Sequence, residues 1–212
     1  MLKTILIEPH YLPSLEYFSA LLPFGEIQLE TSEHFVKQSF RNRCFINTAQ
    51  GAKMLTVPLA ERHGKILTGD VLIEQGNQWR NNHWRTIESA YRKAPYFDYY
   101  FEDLKLILYK GHTHLAELNR DLMSFCLRHI GFQKKISETL TYELQKKEDV
   151  FDARAAISTK KAFTEREFYK ALRYYQVFGS EFVPNLSIID LLFCEGPRAG
   201  AILRASGSIL NK

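Results

Sequence analysis

Short apolar runs give way to helical periodicity along this chain. Residues 4–7, TILI, are apolar and partly β-branched and stop at Glu8-Pro9, which predicts a buried first strand. Pro9 and Pro13 bias the residues before them to extended backbone, so His10, Tyr11 and Leu12 are expected in a loop. Ser14 then caps a helix reaching about residue 22, with Leu15, Phe18, Leu21 and Leu22 on one face. Strand, loop and helix in that order can offer free backbone N–H groups to a ligand. Residues 26–30, EIQLE, alternate and predict a second strand with its polar positions facing water. Residues 34–40 are ambiguous between helix and strand. The runs CFINTA and MLTVPL flank a turn containing Gly51 and predict a hairpin. Residues 71–74 predict one more short strand.

From residue 77 the period becomes 3.6. Asn77 is a candidate N-cap, and Trp79, His83, Ile87 and Tyr91 fall on one line of a helix that Pro95 stops near residue 93 or 94. A helix over 97–108 follows, with Phe97, Phe101, Leu104 and Leu108 inward. Residues 115–130 form a strongly amphipathic helix, with Gly131 suited to the position after its end. Residues 142–170 are rich in charge and poor in large aliphatics, so an exposed, weakly structured segment is expected. Residues 174–178 are strand-like, or the end of a preceding helix. Ser187 is a candidate N-cap for a helix over 188–195, with Asp190 as its capping-box acid, and a last short helix spans 199–203. The expected class is α/β, with α+β as the alternative. A βα unit and the hairpin strands form a small sheet covered by central and C-terminal helices, in a single domain over residues 1–212.

Composition narrows the function. The 13% aromatic content is high, and it suits either a packed core or a cleft for a flat ligand. A net charge of +4 is mild, and the bases interleave with acids except near residues 37–43 and 79–93. This fits a phosphate or carboxylate on a small molecule better than nucleic acid. Cys44, Cys126 and Cys194 are odd in number and widely spaced, which argues against a disulfide framework and for a reducing compartment. The N-terminal apolar run is too short for a signal peptide, and no run is long enough to span a membrane, so a cytoplasmic protein is expected. His112 and His114 lack a well-spaced third ligand, so no metal and no cofactor are expected. There is no glycine-rich phosphate loop and no GxSxG.

Two features carry candidate chemistry. Arg41 and Arg43 share a strand face and repel unless an anion lies between them, either a protein carboxylate or a bound phosphate. His83, between Trp79 and Ile87, is either a hydrogen-bonded core residue or a neutral base beside arginines.

Four blocks in order resemble the WbqC-like family, bacterial proteins often associated with polysaccharide and O-antigen gene clusters. They are Glu8-Pro9-His10-Tyr11-Leu12-Pro13 with Glu16-Tyr17-Phe18; Asn42-Arg43 with Leu55-Thr56-Val57-Pro58; Trp79, His83, Ile87 and Tyr91 through Phe97; and Phe182, Pro184 and Leu186 through Phe193. Glu8 stands where an amide is expected and Glu16 where a glycine is expected, and the stretch 140–178 looks shortened and more charged. The resemblance implies an enzyme of surface polysaccharide synthesis, transferring an acyl or aminoacyl group to an amino-sugar nucleotide. It equally admits a non-catalytic accessory protein that binds a nucleotide sugar or another anion. On the first implication Arg43, with Arg80 or Arg85, binds a pyrophosphate, and Tyr11 or Trp79 stacks on a base or sugar. His83 or His10 is then the general base. Asn42, Tyr91 and Asp190 complete the substrate-binding candidates.

Overall fold

The computed structural model describes residues 3–60, 64–143 and 149–207. In chain order its elements are β1 (Thr4–Ile7), α1 (Leu15–Leu21), β2 (Glu26–Leu29), β3 (Arg43–Thr48), β4 (Gly51–Thr56), α2 (Asn77–Tyr91), α3 (Phe97–Tyr109) and α4 (Leu115–His129). β5 (Lys135–Glu138), β6 (Val150–Asp152), α5 (Ile188–Glu195) and α6 (Ala199–Ser206) follow. The protein is α/β.

β1, α1 and β2 form a parallel unit in which Ile5 pairs with Ile27 and Ile7 with Leu29. All four side chains are fully or almost fully buried, as expected for a parallel sheet. β5 adds in parallel to β2 and β6 in parallel to β1, giving the order β5-β2-β1-β6. The chain therefore steps outward from β1 to β2 to β5 and then returns to the other side of β1. That reversal puts a topological switch point at the carboxyl ends of β1 and β6, where open α/β sheets commonly take ligands. The hairpin β3–β4 forms at the expected residues, but it makes a separate two-stranded sheet rather than joining the parallel one.

Several expectations are corrected. Glu30 is fully buried, because Thr139 and Arg154 bond its carboxylate. Residues 71–74 make only the isolated bridges Leu59–Ile73 and Leu72–His114. The charged segment supplies β6 and buries Ala153, Ile157 and Tyr169; residues 144–148 of it lie outside the described residues. Residues 174–178 form no regular element.

The α2 line is as the period indicates, with Trp79, His83, Ile87 and Tyr91 all buried. Gly76 rather than Asn77 is its N-cap, and the helix ends at Tyr91 with Arg92 as C-cap. Trp84 stacks on Phe97 and Phe101 of α3, at centroid distances of 6.4 and 6.3 Å. Gly131 follows α4 with φ 73°, the left-handed conformation that a glycine takes without penalty.

Candidate functional site

The loop after β1 divides its side chains between two sides. On one, His10 packs on Tyr17 and Phe40, with ring centroids 4.7 and 5.6 Å away. Its Nε2 lies 3.7 Å from Glu8 Oε1 and makes no hydrogen bond. Arg41 Nη2 is also 3.7 Å from that oxygen and pairs closely with Glu33. Burial pushes the Glu8 carboxyl up, but His10 and Arg41 together hold it below the ordinary carboxylate value. Burial lowers the His10 pKa, against the pull of Glu8. The anion facing Arg41 is thus supplied by the protein.

On the other side, Tyr11 reaches α2. Its hydroxyl is 2.9 Å from His83 Nδ1, and His83 Nε2 is 3.1 Å from the Thr56 carbonyl oxygen. A carbonyl can only accept, so Nε2 carries the proton and Nδ1 accepts from Tyr11. Burial brings the His83 pKa down to about 4 despite the Thr56 carbonyl, so the imidazole is neutral at pH 7. Trp79 packs edge-on to His83 at 5.2 Å and donates its indole N–H to Glu74 O. Arg80 lies over the Trp79 ring and donates to the carbonyls of Gln75 and Gly76. Asn42 donates to Val57 O and leaves its own Oδ1 unpartnered.

Tyr91 and Asp190 meet in a third cluster. Tyr91 and Tyr174 donate to the two Asp190 oxygens at 2.8 and 2.6 Å, and Gln176 adds a bond at 3.0 Å. Burial pushes the Asp190 carboxyl up, and these donors offset only part of that. Asp190 is therefore not a capping-box acid. Ser187 occupies the N-cap of α5, but its hydroxyl makes no capping bond.

One groove of about 430 Å³ lies between the hairpin, the 159–166 segment and the start of α5. Of the candidate site residues singled out from the sequence, Arg43 alone lines it. Phe40, Phe45 and Phe163 supply aromatic walls, and Arg43, Lys161 and Arg166 supply cations, with no Asp or Glu among the described lining residues. Arg166 is held by Glu16 through two contacts of 2.6 and 2.7 Å, and Asn185 adds a third group on the same carboxylate. Arg43 is half-buried, forms no ion pair among the described residues, and has an unpartnered Nε. Three non-glycine residues on the wall have left-handed backbone: Leu12 (φ 40°), Gln38 (φ 57°) and Asn185 (φ 54°). The fourth described residue of that kind, Ala155 (φ 56°), donates its N–H to Glu8 Oε2 at 3.1 Å. Such conformations cost about 1–3 kcal/mol each and cluster where a surface must keep one shape.

Phe40, Lys161, Phe163 and the α5 end escaped the sequence-based selection. Asn185 carried a signal, since Asn tolerates left-handed backbone, but a leucine before proline carried none. His112 pairs with Asp121 at 2.9 Å, and among the described residues no group of three or more His, Cys, Asp or Glu is placed to hold a metal.

Fold and groove define a mixed α/β protein with a cationic, aromatic-walled groove. The sequence profile of the WbqC-like protein family matches residues 8–172 and 159–202, so the chain belongs to that family. It is 29% identical over 230 residues to the uncharacterized protein Rv1507c of Mycobacterium tuberculosis (strain ATCC 25618 / H37Rv), covering 96% of this chain and 98% of the relative. No solved structure matches. Among the described residues no helix is long and apolar enough to cross a membrane.

Proposed function

We propose that this chain serves surface polysaccharide synthesis in the cytoplasm by holding a nucleotide-linked sugar in the groove and transferring an acyl or aminoacyl group to it. One observation carries the ligand class: the groove combines aromatic walls with cations and has no described carboxylate in its lining. Flat rings suit a nucleobase or a sugar face, and a guanidinium without a protein partner suits a phosphate. The three buried free thiols fit a reducing compartment.

In the transfer, the sugar amine attacks the carbonyl carbon of an activated acyl donor, an amide forms, and the donor's leaving group departs. A base must take the amine proton. Both nitrogens of His83 are hydrogen-bonded, whereas His10, behind the groove-lining Phe40, makes no hydrogen bond through Nε2, which faces Glu8 Oε1 at 3.7 Å. His10 is therefore the stronger candidate, and Glu8 is its positioning carboxylate. A general base contributes typically 10²- to 10⁴-fold in rate, so His10→Gln should lower turnover by about that factor. Single-turnover assays with amino-sugar nucleotides and acyl donors test this; full activity in the variant would remove His10 from the reaction.

A second proposal, a non-catalytic accessory protein using the same groove, is favoured by one fact: neither His10 nor His83 lines it. Tight nucleotide-sugar binding without turnover would select it.

A further inference from the structure

The floor of the groove holds two polar groups that the fold leaves unused. Ser187, 1% exposed, lines the groove, and its Oγ has no partner among the described residues. A serine at an N-cap ordinarily accepts a helix N–H, which satisfies both groups. Here it does not, because the first N–H groups of α5 are diverted: Ile188 N donates to Pro13 O, and Asp190 N to Ser187 O at 3.0 Å. The Asp190 carboxylate, which could have neutralised this helix end, is turned onto Tyr91, Tyr174 and Gln176. The second unused group is Nε of Arg43, on the strand that receives the Ser187 N–H through Phe45 O at 2.8 Å. A buried hydroxyl and a buried guanidinium N–H without partners are costly unless something completes them. A helix N-terminus adds a positive end to the same place.

We propose that Ser187, Arg43 and the N-terminus of α5 form an oxyanion subsite that takes the diphosphate of the groove's ligand. The assignment rests on the nucleotide-sugar reading above and deepens it. The diphosphate accepts from the Arg43 guanidinium and the Ser187 hydroxyl, while the aromatic walls hold the flat part of the ligand. No bond is made or broken at this subsite.

Titration calorimetry with inorganic pyrophosphate on the full chain tests the subsite apart from the ligand. Wild-type protein should bind it, and added salt should weaken the binding. Arg43→Ala should weaken it about tenfold or more, and Ser187→Ala about two- to tenfold. Ser187→Asp places a carboxylate in the subsite. It should abolish pyrophosphate binding by like-charge repulsion. Absence of wild-type binding, or binding indifferent to all three substitutions, overturns the subsite. If a nucleotide sugar still binds in that case, the wider reading stands and only the subsite falls; if neither binds, both fall.

Discussion

Glu8 and Glu16 are buried carboxylates that the fold supplies with partners. Glu16, where a glycine is expected, is fully buried, and Arg166 from the charged segment meets both its oxygens. Taking one charge away leaves the other buried and unpaired, which costs about 3–5 kcal/mol. Glu16→Gly should therefore destabilise by that amount in a urea melt, and adding Arg166→Met should recover most of it. A mild loss in the single variant would mean the pair contributes little. Glu8 is likewise completed, by Ala155 N–H, His10 and Arg41. His83 makes the sign of one pH effect definite. Its folded pKa of about 4 lies below the ordinary value of 6.5. Between those values the unfolded chain binds a proton that the folded chain does not, so stability falls as pH drops. Its contribution is complete above pH 6.5 and worth about 3 kcal/mol at most. Urea melts from pH 4.5 to 7.5 should show this slope in wild type and a reduced slope in His83→Gln; identical slopes would place the proton elsewhere.

At the scale of elements, what could be read from the sequence followed the strength of the local apolar pattern. α2, α3 and α4 run 13 to 15 residues, enough for a 3.6 period to declare itself, and the hairpin declared itself through alternation around Gly51. β5 and β6 have only 4 and 3 residues, lie in polar text and are recruited by backbone pairing with buried strands, so no local pattern marks them. The candidate site was legible only in part for the same reason. Arg43 lies in a motif, while the opposite wall comes from segments whose position is set by Glu16–Arg166 and by left-handed turns. Helix contacts yield a sharper test. In α6 a Cβ on Gly200 would sit 2.3 Å from the Ile130 carbonyl oxygen at the end of α4. Alanine gains about 1 kcal/mol of helix propensity over glycine, but overpacking against backbone costs typically 1–3 kcal/mol. Gly200→Ala should therefore lower stability by roughly 1–2 kcal/mol in denaturant. A stabilised variant would mean α6 can shift away from α4.

The whole molecule combines a parallel sheet of order β5-β2-β1-β6 with a cationic groove beside the separate hairpin. Beside the switch point Ala155 N–H donates to Glu8 Oε2 at 3.1 Å, and a second groove of about 290 Å³ at the carboxyl ends of the strands is lined by Glu30, Thr139, Asp152 and Arg154. The cationic groove lies between the hairpin and the α5 end, where Leu12, Gln38 and Asn185 have left-handed backbone and Arg43 Nε and Ser187 Oγ lack partners among the described residues. The residues chosen from the sequence separate into a His10 cluster, a Tyr11–His83 cluster, a Tyr91–Asp190 cluster and Arg43. The most direct test is calorimetric titration of wild type and Arg43→Ala with a panel of uridine, guanosine and thymidine diphosphate sugars. At least one should bind wild type with salt-sensitive affinity and bind the variant about tenfold more weakly or worse. Binding of none, or binding that ignores Arg43 and salt, would contradict the groove as an anionic-ligand site.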